Sequence, residues 1–455
     1  MNRQELRAAV SLAGVFSVRL LGLFMIYPVF AAYARNLSGA TPFLIGLALG
    51  AYGLSQGLLQ IPFGLLSDRV GRKTMIVIGL GLFALGSAVA ALSTSIEGVL
   101  IGRVLQGTGA VGSVILALVA DLTREESRTR AMALVGITIG FSFMVALVVG
   151  PILSGLVGVP GIFWLMVGLA ALGVAIVLWA VPTPRRVQAH RDAETVPALL
   201  LSVLRNRDLL RLDFGIFALH AILTSSFLVV PHLLRGSLAL PAERQWVAYL
   251  PILVVSVLLM VPAVAFAERQ RRMKPVFVGA VALLAASQAA LLLIAPGDPV
   301  AVVAAIIAFF AAFNTMEATL PSLVTKAAPA GAKGTATGVY SSAQFVGIFV
   351  GGAGGGWAHQ AAGAEGVFVF ALAFALLWLL VAATMPKPAP YSTRLARIGE
   401  VSGAEADALV ARLAGLAGVV DVVVVAEEHV AYLKVDSRTF DAADLEAALG
   451  RVQPA

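Results

Sequence analysis

Apolar runs of roughly 20 residues, separated by short polar or charged turns, recur along most of the chain. That is the length a helix needs, at about 1.5 Å per residue, to cross a hydrocarbon core about 30 Å thick. In lipid, every backbone N–H and C=O must find its partner within the protein, so such runs read as transmembrane helices. Twelve are counted, at 11–34, 43–66, 74–93, 98–120, 131–156, 161–181, 212–234, 245–267, 275–295, 299–322, 335–358 and 364–385. Composition agrees: only 13% of the 455 residues are charged, where soluble domains average about a quarter. The first run ends in "FAAYA", which mimics a signal-peptidase site, but it is about twice the length of a signal h-region and is read as an uncleaved helix.

The Lys and Arg residues set the orientation. With the N-terminus inside, cytoplasmic loops hold Arg69, Arg72 and Lys73, then Arg124, Arg128 and Arg130, then the group from Arg185 to Arg211, then Arg269, Arg271, Arg272 and Lys274. External loops hold only Arg35, Arg235 and Arg244, which predicts that both termini are cytoplasmic. The net charge of +7 arises from these clusters, with no basic stripe interleaved with aromatics. Anionic lipid is therefore the expected partner of the basic loops, and nucleic acid is not. The chain has no cysteine, which removes disulfides, thiol catalysis and cysteine metal sites.

The connection 182–211, with "PTPRR" followed by the amphipathic "VPALLLSVLRNRDLLRL", is expected to lie on the membrane surface. It divides a six-helix half at 1–181 from a second at 212–386. "SDRVGRK" after span two and "ERQRRMK" after span eight occupy equivalent places in the two halves, as an internal repeat would. From 387 to 455 the composition is that of a soluble domain. A strand near Tyr391–Ile398, a helix at Ala404–Leu416, a hairpin turning at Glu427–His429 and a helix at Asp441–Leu449 make a β-α-β-β-α, ferredoxin-like unit whose fourth strand is short or absent. At about 60 residues it is marginal alone and should pack against something. Its roles left open are stabilisation, self-association and regulation, and with His429 alone a metal site is not expected. The predicted fold is thus an all-α membrane protein of twelve helices in two halves, plus a small α+β domain.

"GLLSDRVGRK" (64–73) crowds charge between two apolar runs. Gly71 permits the reversal, Asp68 can cap a helix and Arg72 can pair with an acid on a neighbouring helix, for which Asp121 is the chosen partner. For Arg69 and Lys73 a purely topological role is left open. The stretch resembles the cytoplasmic signature of the major facilitator superfamily, G-x-x-x-D-[RK]-x-G-[RK]-[RK], at Gly64, Asp68, Arg69, Gly71, Arg72 and Lys73. The resemblance implies a conformational latch, with Asp68 facing the start of span eleven near Gly338.

"RVLQGTGA" (103–110) is similar to the second motif of that superfamily, whose arginine is associated with proton coupling; Arg103 either has that role or snorkels to the nearer water. "GPILSG" (150–155) resembles the motif of proton-coupled exporters, although Ala146 stands where glycine is usual and Ser154 where many members have glycine. Pro151 is expected to kink the helix, and Gly150, Ser154 and Gly155 to let backbones approach. Charges within spans need a reason. Glu317 is the chosen proton-binding carboxylate, with His220 able to share the proton, and pairing within the bundle is the alternative for each. Asp213, near the cytoplasmic end, is read as solvated. Span one carries Arg19 where many drug exporters have a carboxylate, so Arg19 suits an anionic substrate or neutralises Glu317.

"IPFGLLSDRVGRK", "DLTRE", "LPSL" and "KGTATGVYSSAQF", with the appended "YAM" domain, resemble the YajR-type transporters of Gram-negative bacteria. The resemblance implies an inner-membrane location and proton-driven export. The expected function is a proton antiporter exporting a small organic or drug-like compound by alternating access. A membrane sensor or ligand-gated carrier regulated through the C-terminal domain is the alternative. No Walker motif, H-E-x-x-H or paired intramembrane acids occur, so neither an enzyme nor a cofactor is expected.

Overall fold

The computed structural model describes residues 1–183, 195–294, 298–387, 391–399, 401–426, 429–436 and 438–449. Among them are ten helices long and apolar enough to cross a membrane. Two of these are 51 residues long, Arg130–Ala180 and Lys333–Ala383, and at about 75 Å each is twice what one crossing needs. The backbone shows why. Gly158 has φ 69° and ψ 173°, and Ala362 and Gly363 leave helical geometry together, Gly363 with φ 63°. Ser142 and Gly173, on either side of Gly158, both reach the same stretch of span one, at Ser17 and Val15, and Gly354 packs on Phe370 across the second break. Each long helix is therefore a pair of antiparallel spans joined by a one- or two-residue reversal, and the crossings number twelve.

Three spans are discontinuous. The first breaks at Ile26 between Arg3–Met25 and Tyr27–Ala34, the fourth between Ile96–Thr108 and Gly112–Asp121, and the seventh between Arg207–Ser226 and Val230–Leu238. The remaining spans are Pro42–Val70, Arg72–Leu92, Trp246–Arg269, Met273–Leu293 and Pro299–Ala327. Sequence boundaries miss these breaks because the interrupting residues themselves, Ile26, 109–111 and 227–229, are apolar and lie inside lipid-length runs. Helix Pro197–Arg205 precedes span seven; only its Val203 is buried, and Leu201 and Leu204 are exposed on it. Residues 184–194, within the expected linker, lie outside the described residues.

At Gly46, Gly50 and Gly356, spans two and eleven meet through bare backbone. A Cβ added at Gly46 would fall inside contact distance of Gly352 O, one at Gly50 would lie 2.9 Å from Phe349 O, and one at Gly356 would lie 2.9 Å from Phe43 O. Only glycine allows this approach. Elsewhere the halves share an aromatic cluster of Tyr27, Phe143, Phe227, Phe310 and Phe313, with Phe143 and Phe313 centroids 5.5 Å apart.

The C-terminal unit forms an antiparallel sheet in the order β1 (Tyr391–Arg397), β3 (Val430–Asp436), β2 (Val419–Val425). Alternation divides its faces. Ala431, Leu433 and Val435 pack beneath helices Gly403–Ala414 and Ala442–Leu449 with Leu409, Leu413 and Leu445. Tyr432 and Lys434 point the other way, toward the loop between spans ten and eleven, where Tyr432 and Val425 cover Ala330. Asp421 Oδ2 accepts from Ala330 N at 2.9 Å, and Lys434 Nζ donates to Ala327 O and Ala328 O at 3.0 Å. The marginal unit thus completes its second face on its own bundle. Glu427, Glu428 and the "RVQPA" end lie outside the described residues.

Candidate functional site

Within the second half, polar side chains converge from three helices. Asp213 and His220 are seven residues apart on span seven, and Tyr340 and Gln344 four apart on span eleven, so each pair shares a helix face. Glu317 comes from span ten. His220 Nε2 lies 3.7 Å from Glu317 Oε1 and 2.8 Å from Gln344 Nε2, while His220 Nδ1 lies 3.3 Å from Ile216 O. With the Gln344 amide donating to Nε2, the ring proton sits on Nδ1 and is given to the Ile216 carbonyl. Glu317 Oε1 is buried and accepts no hydrogen bond. Both carboxylate oxygens of Asp213 are likewise buried and without a partner, and the residue is 6% exposed. That corrects the reading of Asp213 as solvated: span eleven lies over its face, which position in the sequence could not show. Tyr340, its hydroxyl also without a partner, is within electrostatic reach of both acids.

The first half carries the opposite charge. Arg19 Nη2 donates to Tyr52 Oη and Gln56 Oε1, each at 2.5 Å, and to Gly109 O at 3.1 Å, where span four is broken. Gln56 Nε2 donates in turn to Gln60 Oε1 at 2.7 Å. Arg19 Nε is buried without a partner. Arg103 is wholly enclosed, which corrects the snorkelling alternative. Its guanidinium donates to Ala48 O, Leu49 O and Gln106 Oε1 at 3.4, 3.2 and 2.7 Å, clamping span four to span two, and lies over the Tyr52 ring. No carboxylate pairs with Arg19 or Arg103 among the described residues. Tyr52, Gln56 and Gln60 were missed in the sequence reading, although polar residues at i, i+4 and i+8 inside an apolar span are a legible face.

At the charged turn, Arg72 is buried; its Nε lies 3.2 Å from Asp121 Oδ2, and its Nη1 bonds Ser67 Oγ at 2.7 Å and pairs with Asp68. Asp68 therefore meets Arg72 and caps no helix, since Gly71 is the N-cap of span three and has no side chain to offer. Gly64, Asp68, Ser113, Thr195 and Gly338 line one cavity, so Asp68 does face the start of span eleven. Lys73 Nζ donates to Val181 O at 2.9 Å, at the carbonyl end of span six, and Arg69 is exposed. In the repeated turn after span eight, where glycine is missing, Arg271 takes the left-handed conformation with φ 53°.

The "GPILSG" residues divide. Helical geometry runs on through Pro151 and is lost only at Gly158, so the marked break is not at the proline. Gly150 lies against the Met25 carbonyl of span one, Ser154 Oγ donates to Pro151 O at 2.9 Å, and a Cβ on Gly155 would lie 2.8 Å from Glu243 of the other half.

Residues 12–352 and 241–418 match the Major Facilitator Superfamily. The chain belongs to that superfamily. Residues 400–450 also match the YajR YAM domain. The chain is 43% identical over 449 residues to "Inner membrane transport protein YajR" of Escherichia coli (strain K12), covering 99% of this chain and 98% of that one. Two solved superfamily structures share the fold. A mutant of the nucleoside transporter NupG has a TM-score of 0.65 at 14% identity, covering 83% of this chain and 99% of its own. A D-xylose-proton symporter has a TM-score of 0.65 at 16% identity, covering 84% and 98%. This major facilitator protein is a YajR-like transporter, with a bundle and a YAM domain.

Proposed function

We propose that this chain is a proton-coupled antiporter of the inner membrane that exports a small organic compound by alternating access. The observation that carries the reading is the Glu317–His220 pair, 3.7 Å apart on spans ten and seven with Glu317 Oε1 lacking any donor. A carboxylate so placed is costly when charged and is relieved by a proton, which the unprotonated Nε2 of His220 beside it can share. Both termini are assigned to the cytoplasm from the loop charges. The Arg72–Asp121 contact holds spans three and four together at that side and would latch one conformation, while binding and release of the proton shift the balance between states.

The test uses purified protein in liposomes with an internal pH dye, an imposed proton gradient and pooled lipophilic compounds. A compound that elicits proton flux in the wild type and none in Glu317→Gln supports the reading. Transport of a verified substrate that ignores the pH gradient would sink it.

A regulatory role for the YAM domain has its own support in the contacts of Lys434 and Asp421 with the loop 327–330. Removing 387–455 with transport and folding unchanged would leave regulation without a basis.

A further inference from the structure

We infer that Arg19, together with the start of the half-helix Gly112–Asp121, forms a binding site for the carboxylate group of a small organic anion, the substrate class of this carrier. The inference rests on the transporter reading and adds to it what the cavity selects.

Arg19 is 2% exposed, and its three acceptors are a phenol, an amide and a backbone carbonyl, all of them neutral. Hydrogen bonds to neutral groups satisfy donors without balancing charge, and an unbalanced charge in a low-dielectric interior calls for a counter-ion. Arg103, the other buried cation nearby, distributes its Nε, Nη1 and Nη2 over three acceptors. Arg19 instead spends all three bonds on Nη2 and leaves Nε with none. A residue needed only as a clamp would use its whole fork, as Arg103 does.

The break in span four adds a second source of positive potential. Arg19 reaches the Gly109 carbonyl, and three residues later a new helix begins at Gly112. Its first N–H groups have no preceding turn to donate into, and its ten residues align their dipoles toward that end. Broken helices of this kind place half-helix N-termini at anionic substrate groups. The Cβ position of Gly112 lies 3.2 Å from Gln60 Nε2, so the helix start and the glutamine are neighbours.

A route leads there. Gln60 and Ser113, the latter in the first turn of the half-helix, line the cavity that also reaches Asp68, Arg72 and Gly338. From Gln60 the polar file runs through Gln56 to Arg19. The cavity stops at Gln60 in this conformation, so an anion would reach Arg19 only once the bonded Gln60 and Gln56 side chains move aside. The anion would take the place of the Gln56 oxygen on the guanidinium.

The test measures thermal stabilisation of the purified full-length protein at fixed pH and salt by benzoate and hexanoate, against their amides benzamide and hexanamide. A ligand that binds only the native state raises the melting temperature with concentration. The carboxylates are expected to stabilise the wild type and the amides not. Arg19→Gln should weaken the carboxylate response at least tenfold in concentration, and Arg19→Lys, which keeps the charge but loses the fork, should weaken it less. If Arg19→Gln does not fold, Arg19→Lys alone decides, with an unchanged response counting against the site. Equal stabilisation by amide and acid, a response in Arg19→Gln equal to wild type, or no response to either carboxylate overturns the inference. Glu317→Gln is expected to keep the carboxylate response, so loss of proton coupling and loss of anion recognition are read separately.

Discussion

Lys434 Nζ stands 3.0 Å from the Ala327 carbonyl oxygen, at the end of the helix that carries Glu317 ten residues earlier. The ammonium meets C-terminal carbonyls that have no helical partner, where positive charge is favoured. Burial lowers the pKa of Lys434 from the ordinary lysine value, so this is a partly desolvated contact. Lys434→Met is expected to weaken docking of the sheet by about 1–2 kcal/mol, a roughly five- to thirtyfold rise in the undocked population. Hydrogen exchange in β2 and β3 should rise accordingly. Exchange unchanged in both strands would mean that apolar contacts at Ala330 hold the domain unaided.

Arg72 and Asp121 are both buried, so removal of either takes a close opposite charge away from the other. Arg72→Gln or Asp121→Asn should each cost about 3–5 kcal/mol in the state in which they touch. Exchanging the two charges should recover only part of this, because the acid introduced at position 72 would face Asp68, which now pairs with Arg72. A double-mutant cycle on thermal stability checks it. Full additivity of the two single changes would exclude direct coupling.

Gly46→Ala places a methyl group against the Gly352 carbonyl and within 2.7 Å of Gly356 Cα, and backbone cannot turn aside as a side chain can. Overpacking of about 1–3 kcal/mol is expected in the conformation that joins spans two and eleven. Because the chain has no cysteine, a pair introduced across this seam reports on it without background. Cross-linking should slow when Gly46→Ala is added, and an unchanged rate would refute the close approach.

Asp436 receives bonds from Arg438, which hold its carboxyl down at about 2 against an ordinary 3.8. A lowered acid pKa contributes stability above the ordinary value and loses it as pH falls toward the lowered one. Protection of β3 in the wild type relative to Asp436→Asn should therefore be greater at pH 6 and converge by about pH 2. A ratio flat across that range would mean that the bonds hold loop geometry alone.

Much of the fold was legible because lipid imposes one length on every span, and the charged turn because glycine and paired charges have few uses at that spacing. The breaks at Ile26, Gly109–Val111 and Phe227–Val229 were not legible, since apolar residues continue through them and the interruption depends on neighbouring helices. Glu317 and His220 stood out as charges in lipid-length runs. Gln344, Tyr340 and Gln56 did not, because an uncharged polar side chain in a span acquires meaning only from what it faces. Asp213 was misread for the same reason: depth along a helix was visible, but the helix lying over it was not.

The seam of Gly46, Gly50 and Gly53 against span eleven has a mechanical consequence. Interlocked side chains must disengage before two helices can turn on each other, whereas bare backbones can roll with little to rearrange. The seam is thus suited to serve as an axle for the two halves. Motion about an axle is smallest on it and grows with distance, so contacts between the halves off the seam, such as Gly155 against Glu243, are the ones that part and re-form as the halves turn.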